Sequence, residues 1–542
     1  MEHASSPPIH LEIQRHRNNC YGLLRTSYRE SGKIRHTTHG RITGFSHEKL
    51  KLIQAALRNE VVYTSSNEAP KIANSREYGA SQVILCLAKG LELDKMLYSK
   101  NNLQWVKDCL AMIIGRLIYA GSKLSLTNRY KDTVLWELCG VKGIPDVDEN
   151  CYSSMDRLLE RQQDIQQKLA AKHFSDNAMV LYDITSSYFE GEYSESQIVK
   201  FGYNRDCKRG HEQIVIGLIC NMDGCPIAVE VFAGNTKDET TVKSKIEEIE
   251  KRYKIKQIIF VGDRGMVTKS NIGKIKKEGF HFISALTHPQ IKELLSKKVL
   301  AIKMFDHEKI IEMADADNPE YRYCLCRNKA TGKRETITRQ ELLKKTTTAL
   351  DKIANSPKKS TTKETAARVG KIFGSTKMGK FIEWEVNRGR LKWSLKTDFV
   401  EAESNLDGCY IIVSDAPKDK FNSEKLVQSY KQLRLVEQAF RNLKTVQLEI
   451  RPVYHKTDIR IRSHVFLCML AYYLQWNMNQ KLKPLFEKDG NHKKHFWTFE
   501  NVIERLKSIR IEEIHTAGTT CKIITQLDED QRTILNLLGA KL

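Results

Sequence analysis

Two short apolar runs, each ending in an acid, constrain this chain most. Met179-Val180-Leu181-Tyr182 leads into Asp183, and residues 257–262 lead into Asp263. Runs of this length, bounded by turn residues and rich in β-branched and aromatic side chains, read as buried strands. Residues 214–220 and 227–232 are two more, joined by a turn at Asp223-Gly224, and residues 281–286 are a fifth. A helix at 268–277, closed by Gly279, separates the last two. Three strands, a crossover and further strands predict an α/β core.

Elsewhere the spacing is mostly helical. A basic β-hairpin is expected at 20–44 around Ser31-Gly32, then a helix capped by Ser46. Leu103, Val106, Leu110, Ile113 and Leu117, and later Met155, Leu158, Ile165 and Leu169, recur at helical steps. Residues 1–172 therefore read as a mainly helical N-terminal region with an initial hairpin. The core occupies 173–289 and 409–480, and 290–408, dense in Lys and Arg, is an inserted subdomain. Residues 423–446 read as one strongly periodic helix and 462–478 as an apolar one. Residues 481–542 read as a helical tail, whose helix at 499–510 is a candidate self-association surface.

Acids at the ends of neighbouring strands can share a hard cation, because ligands collect at strand ends in open α/β sheets and magnesium prefers oxygen donors. Phosphodiester displacement by two metal ions asks for a third acid beside the strands. Glu437 qualifies. Tyr430, Leu433, Glu437, Arg441 and Lys444 return to one helix face, with Arg434 close to it. That face offers an acid to metal and cations to phosphate. Against this, a lone aspartate at a strand end is more often a turn or capping residue. A glutamate among lysines and arginines is more often a solvated ion-pair face.

Charge favours a polyanionic partner. Lys and Arg total 88 against 66 Asp and Glu, a net of +22, and neutralising phosphates releases counterions. Thirteen cysteines without a Cys-x-x-Cys pair fit a reduced cytosolic protein without structural zinc. The run 465–476 is too short to span a membrane, and no signal peptide is read at the start. The expectation is a cytoplasmic, nucleoid-associated protein with no membrane partner. Gly374 to Lys380 nearly spells a phosphate-binding loop, but Phe381 stands where Ser or Thr must reach magnesium. It reads as a basic loop.

At the acids the sequence resembles the transposases of the insertion-sequence-four superfamily. The likeness rests on Tyr-Asp183-Ile-Thr-Ser-Ser-Tyr-Phe-Glu, Gly-Asn-Thr at 234–236, Val-Gly-Asp263-Arg-Gly-Met, Val-Glu437-Gln-Ala-Phe-Arg-Asn-Leu-Lys444, Arg451-Pro-Val-Tyr-His455 and Arg462-Ser-His464. It covers roughly residues 150–480, and Ser122-Lys123-Leu124 also fits one branch. The family signature is Tyr-x2-Arg-x3-Glu-x6-Lys. Tyr430, Glu437 and Lys444 match it, while Leu433 fills the Arg slot and Arg434 stands beside it.

The resemblance implies a ribonuclease-H-like core interrupted by a largely β insertion. Asp183, Asp263 and Glu437 would hold Mg2+, with Mn2+ able to substitute. Tyr430, Arg434, Arg441 and Lys444 would contact DNA, joined by Lys208, Arg209, His211, Arg451 and His455; Arg462 is a similar candidate. Trp384 and Trp393 would either stack on a flipped base or pack in the insertion. The implied activity cleaves double-stranded DNA at insertion-sequence ends and joins the 3′ ends to target DNA, with the protein a homodimer on DNA. The alternatives are a metal-dependent nuclease without strand transfer and a catalytically silent DNA-binding descendant.

Overall fold

The computed structural model of the chain describes residues 8–16, 19–30, 32–60, 70–99, 103–175, 178–203, 210–237, 258–262, 269–277, 279–306, 310–314, 319–357, 360–446, 448, 450, 453–488, 497–516 and 519–542. The first elements are three antiparallel strands, β1 (His10–His16), β2 (Asn19–Glu30) and β3 (Lys33–Ile42). The expected hairpin is β2–β3, closing at Glu30↔Lys33. Helix α1 (His47–Leu57) follows, its first turn capped by the Ser46 hydroxyl, which accepts from the Lys49 N–H. Strand β4 (Lys71–Glu77) then leads to the helices α2 (Gly79–Gly90), α3 (Gln104–Ile118), α4 (Lys123–Asn128), α5 (Ser153–Glu160) and α6 (Gln162–His173).

The core sheet begins with β5 (Ala178–Tyr188), β6 (Gln213–Cys220), β7 (Pro226–Ala233) and β8 (Ile258–Gly262). Helix α7 (Lys269–Lys277) precedes β9 (His281–Ala285), and β10 (Ile311–Ala314) and β11 (Arg322–Arg327) follow. With β14 (Cys409–Ser414), reached later in the chain, they form one eight-stranded sheet in the order β10-β11-β14-β9-β8-β5-β6-β7. β5 pairs parallel with β8 and antiparallel with β6. Every residue of β6 is buried, as expected of a strand covered on both faces.

The inserted segment departs from expectation. It lies between β11 and β14, since β10 and β11 belong to the main sheet, and it is mainly helical rather than largely β. Its elements are α8 (Lys329–Ala354), α9 (Thr362–Thr376), the hairpin β12 (Ile382–Asn387) and β13 (Arg390–Leu395), and a short helix at Thr397–Ser404. In α8 Leu343, Thr346, Leu350 and Ile353 are buried at helical steps. Leu350 and Ile353 meet Val369, Ile382 and Leu391 in a small core of their own. The expected basic loop at 374–380 is instead the end of α9 followed by a single 3₁₀ turn at Gly379–Phe381.

The single helix expected at 423–446 is broken. It is α10 (Ser423–Lys431) and α11 (Leu433–Arg441), followed by a π turn at Asn442–Val446. At the break the Gln432 N–H is shared between the carbonyls of Gln428 (3.2 Å) and Ser429 (3.1 Å). The apolar helix at 462–478 lies within α12 (Asp458–Lys488), which packs on α3, α5 and β7. Among the described residues no single helix is long and apolar enough to cross a membrane.

The tail is not wholly helical. Phe499–Lys507 and Glu529–Leu538 are helices, but β15 (Arg510–Thr516) and β16 (Thr519–Ile524) form a hairpin whose β15 pairs with β4. Arg510 ties that pairing, its Nε donating to the Ser75 hydroxyl at 2.7 Å. The chain accordingly divides into two compact units, Met1–Arg76 with Ile509–Gln526, and Glu77–Ser508 with Leu527–Leu542.

Candidate active site

Asp183 sits at the middle of β5, a strand paired on both edges, so its backbone has no freedom to drift. Alternation sends Tyr182 to one face and Asp183 to the other. Tyr182 is fully buried while Asp183 is half-buried. Gly217 on β6 makes room for the tyrosine: a β-carbon there would lie 2.5 Å from the Tyr182 hydroxyl. One Asp183 oxygen accepts from the Ile184 N–H at 2.7 Å. The parallel pairing of β5 with β8 runs in step to Tyr182↔Gly262. The next residue in each sequence is an aspartate, Asp183 and Asp263; Asp263 lies outside the described residues.

The face of β5 that carries Asp183 is covered by α10 and α11. Leu433, Val436, Ala439 and Phe440 form the buried stripe of α11, leaving Arg434 and Glu437 exposed. Gly224, in the β6–β7 turn at φ +80°, approaches the same helix so closely that a β-carbon would be 3.0 Å from Leu435 Cβ. A cleft of about 320 Å³ results, lined by Asp183, Tyr430, Leu433, Arg434 and Glu437 among others. The break at Gln432 does not separate Tyr430 from Glu437.

The opposite wall comes from the insertion and β14. Thr331 and Glu335 of α8 and Cys409 and Tyr410 of β14 line it, with His288. The Glu335 carboxylate accepts from the Gly408 N–H at 2.8 Å. Gly408 has φ +72°, and a β-carbon there would be 2.3 Å from the Asn328 carbonyl, so the approach of α8 requires glycine. Next to it Arg339 and Thr336 clamp Asp407: Arg339 Nη1 donates at 2.8 Å and the Thr336 hydroxyl at 2.6 Å. Burial opposes ionisation of Asp407, but these two donors hold its carboxyl below the usual range. Burial, then Cys326 and Tyr430, push the Tyr410 hydroxyl up, so it stays a neutral phenol.

Residues 180–474 match the family model of the transposase DDE domain. The chain belongs to the DDE transposases. No curated protein matches it. As a DDE transposase it is built on a ribonuclease-H-like α/β core, to which the mixed sheet and its helices correspond, and it acts on DNA. The family generally uses divalent metal ions. The carboxylates of Asp183 and Glu437 are hard oxygen donors of the kind such ions take. Among the described residues no three acidic, histidine or cysteine side chains gather as a metal site, and Asp263 is the acid that lies outside them.

The other sequence-predicted residues of the transposase divide sharply. Arg441 and Lys444 are not among the cleft lining. The π turn after Arg441 advances more residues per turn than an α-helix and changes the direction of Lys444, which is 9% exposed. His211 has its Nδ1 3.2 Å from the Phe189 carbonyl, beside the far end of β5. At roughly 3.3 Å per strand residue that is about 17 Å from Asp183. Lys208, Arg209 and Arg451 lie outside the described residues. Arg462 is engaged by β7, with Glu230 at 3.5 Å.

His455 is a correction. It is 8% exposed, set edge-on against Tyr152 and 5.3 Å from the ring of His464. Burial first, then Lys123, Arg460 and Arg116, push its imidazole down to about 3. A buried neutral ring does not grip phosphate. His464 beside it donates from Nε2 to the Ile450 carbonyl (3.2 Å) and accepts on Nδ1 from Lys123 Nζ (2.6 Å). Trp384 and Trp393 are cross-strand partners on the hairpin. Trp393 packs on the insertion core, and Trp384, 40% exposed, meets Phe373. Sequence reasoning missed Glu335, Thr331, Tyr410 and His288, which no spacing ties to the acids.

Proposed function

We propose that this transposase cleaves DNA at the ends of its insertion sequence and joins the freed 3′ ends to target DNA, as a member of the insertion-sequence-four group. The observation that carries the reading is the shared cleft of Asp183 and Glu437, together with a β5–β8 register whose next residues are two aspartates. Asp183, Asp263 and Glu437 hold the metal, Mg2+ with Mn2+ as a substitute. When bound, such ions activate the attacking oxygen and stabilise the leaving one. Arg434, exposed one turn before Glu437, holds the phosphate beside the acids and takes the role of the signature arginine. Tyr430 fixes the position of the strand. Arg441, Lys208, Arg209, His211 and Arg451 contribute backbone contacts along the duplex, whereas Lys444, buried at 9% exposure, does not reach it.

Residues 1–172 recognise the element's end, and two copies of the chain act on paired ends in the nucleoid. The test is a labelled duplex bearing the element's own end, incubated with Mg2+ or with chelator, with wild type and Glu437→Gln. Metal-dependent cutting at the end, lost in the variant, followed by joined products, is the expected result. Cutting without joining leaves a nuclease. Cutting that survives Glu437→Gln overturns the assigned site.

A further inference from the structure

The three-stranded sheet at the start of the chain has one apolar face and one polar face. Residues opposite one another on paired strands share a side, so Leu11↔Leu24 and Gly22↔Ile42 place these four together. A β-carbon at Gly22 would lie 2.7 Å from Leu11 Cδ1. Helix α1 packs on β1 and β2, its Gln54 donating to the Leu11 carbonyl at 2.6 Å, and Leu11 and Leu50 are buried. The apolar face therefore belongs to α1. By the same register the other face carries Glu12, Gln14, Tyr21, Arg25, Thr38 and Arg41. These side chains form one hydrogen-bonded row. The Tyr21 hydroxyl donates to Gln14 Oε1 at 2.8 Å, and Gln14 Nε2 donates to Glu12 Oε1 at 2.9 Å. Glu12 pairs with Arg25, whose Nε donates to the Thr38 hydroxyl at 3.2 Å. The row fixes the Tyr21 ring, and the Arg41 guanidinium lies over that ring, 3.8 Å from its centroid. Stacking engages the flat face of a guanidinium, whereas its donors point outward from the edge. Glu12 neutralises Arg25, but Arg41 is exposed and carries its charge outward.

The charged outer face of a sheet is ordinarily just solvated. Two features of this one point to a partner. Residues 10–42 carry seven Lys and Arg against two acids, while the whole chain carries 88 against 66. The basic excess is thus concentrated on this sheet, as a polyanion-binding surface requires. The second feature is size. Three strands about 4.8 Å apart span roughly 10 Å. That fits the major groove of DNA, about 12 Å wide, and is too broad for the minor groove, about 6 Å wide. In the major groove an arginine edge has a specific partner, the O6 and N7 acceptors of guanine. Arg29 and Lys33, exposed near the β2–β3 turn, would meet phosphates, which position a protein without reading sequence.

We propose that the polar face of β1–β3 lies in the major groove of duplex DNA at the element's end, where Arg41 reads a guanine edge. The proposal rests on the reading above that the chain acts on its own element's ends. It is tested on the full chain by gel shift, with a duplex bearing the element's end and a scrambled duplex of the same composition. Wild type is expected to prefer the end. Arg41→Lys keeps the charge but loses the planar two-pronged donor edge. With unchanged circular dichroism, it is expected to lose at least about five-fold of that preference, the lower end for one two-bond base contact, and to bind the scrambled duplex as wild type does. Tyr21→Leu, which removes the platform under Arg41, is expected to act in the same direction. An end duplex made with 7-deazaguanine lacks the N7 acceptor in the major groove and is unaltered in the minor groove. It is expected to weaken wild type by a similar factor and Arg41→Lys by less. Glu437→Gln is expected to keep the full preference while cutting nothing, which separates this proposal from the cutting reading. A wild type without end preference, a preference unchanged in Arg41→Lys, or a 7-deazaguanine end bound by wild type as tightly as the natural one overturns the proposal, whether or not the enzyme cuts DNA.

Discussion

Asp183 and Glu437 line one cleft from two elements that pack directly on each other, a central strand and the helix laid across it. Asp183 is carried by a strand hydrogen-bonded on both edges, and Glu437 stands at the rim of an apolar stripe buried against that strand. Their proximity therefore follows from packing of Leu433, Val436, Ala439 and Phe440 rather than from any bond between the acids.

Replacing either acid by its amide should abolish metal-dependent cleavage while leaving DNA binding within a few-fold. The loss should exceed the roughly 10–100-fold typical of an outer-shell partner of a metal site. Cleavage and gel-shift assays on Asp183→Asn and Glu437→Gln measure both. A loss within that 10–100-fold range would make these residues supporting rather than metal-holding.

Arg434→Ala should weaken DNA binding in proportion to one lost phosphate contact. The slope of log K against log salt should become shallower by about 0.9. Binding titrations at several salt concentrations check this. An unchanged slope would remove Arg434 from the phosphate path.

Gly217→Val should destabilise the core by roughly 1–3 kcal/mol, the usual cost of overpacking. The new side chain would collide with the Tyr182 ring, the residue next to Asp183, so cleavage should fall as well. Denaturant melts and cleavage rates on the same preparation report the two effects.

Arg339→Ala should cost about 3 kcal/mol, the lower end for breaking a buried ion pair, because Arg339 and Asp407 each have only 10% of the side chain exposed. The clamp holds α8 at the cleft wall, so hydrogen exchange should rise first in Lys329–Ala354. Exchange unchanged there would show that the insertion is anchored by its other contacts.

The buried Lys123–His464 pair makes stability depend on pH. Burial first, then Arg116, push the Lys123 ammonium down to about 7, against about 10.4 in an unfolded chain. Between those values the unfolded chain binds a proton that the folded one does not, so stability rises with pH. Wild type should gain stability relative to Lys123→Met from pH 7 to pH 10. His455 and His464 act in a lower window. Burial, mainly, depresses both, so stability is lost as pH falls from about 6.5, for His455 down to about 3. Melts of both proteins across pH 4–10 check each sign.

Much of the core is legible in the residues themselves. The apolar runs at 179–182, 214–220 and 227–232 lie in strands because a sheet buried on both faces needs continuous apolar residues, but β5 does not end at Asp183 as expected: it runs on through Thr185, Ser186 and Ser187 to Tyr188, held by its pairing with β6. The steps of Leu433, Val436 and Phe440 fix which side of α11 turns inward, and so leave Glu437 outward. Helical spacing is present in α8 too, at Leu343, Leu350 and Ile353, beneath a charge density that obscures it.

Tertiary structure decided the rest. Periodicity reports which face of an element is buried, not what buries it. Nothing in 510–524 announces a partner at 71–77, because pairing between distant strands is chosen by register and packing. His455 reads as a phosphate ligand until Tyr152 and His464 enclose it. Glu335 reaches the cleft only because Gly408 lets α8 approach β14. The sequence by itself determined the central strands, the buried faces of the periodic helices and the acids they carry; the fold decided where β15 and β16 form, where the 423–446 helix breaks and which side chains meet, since these depend on contacts between segments that no local spacing encodes.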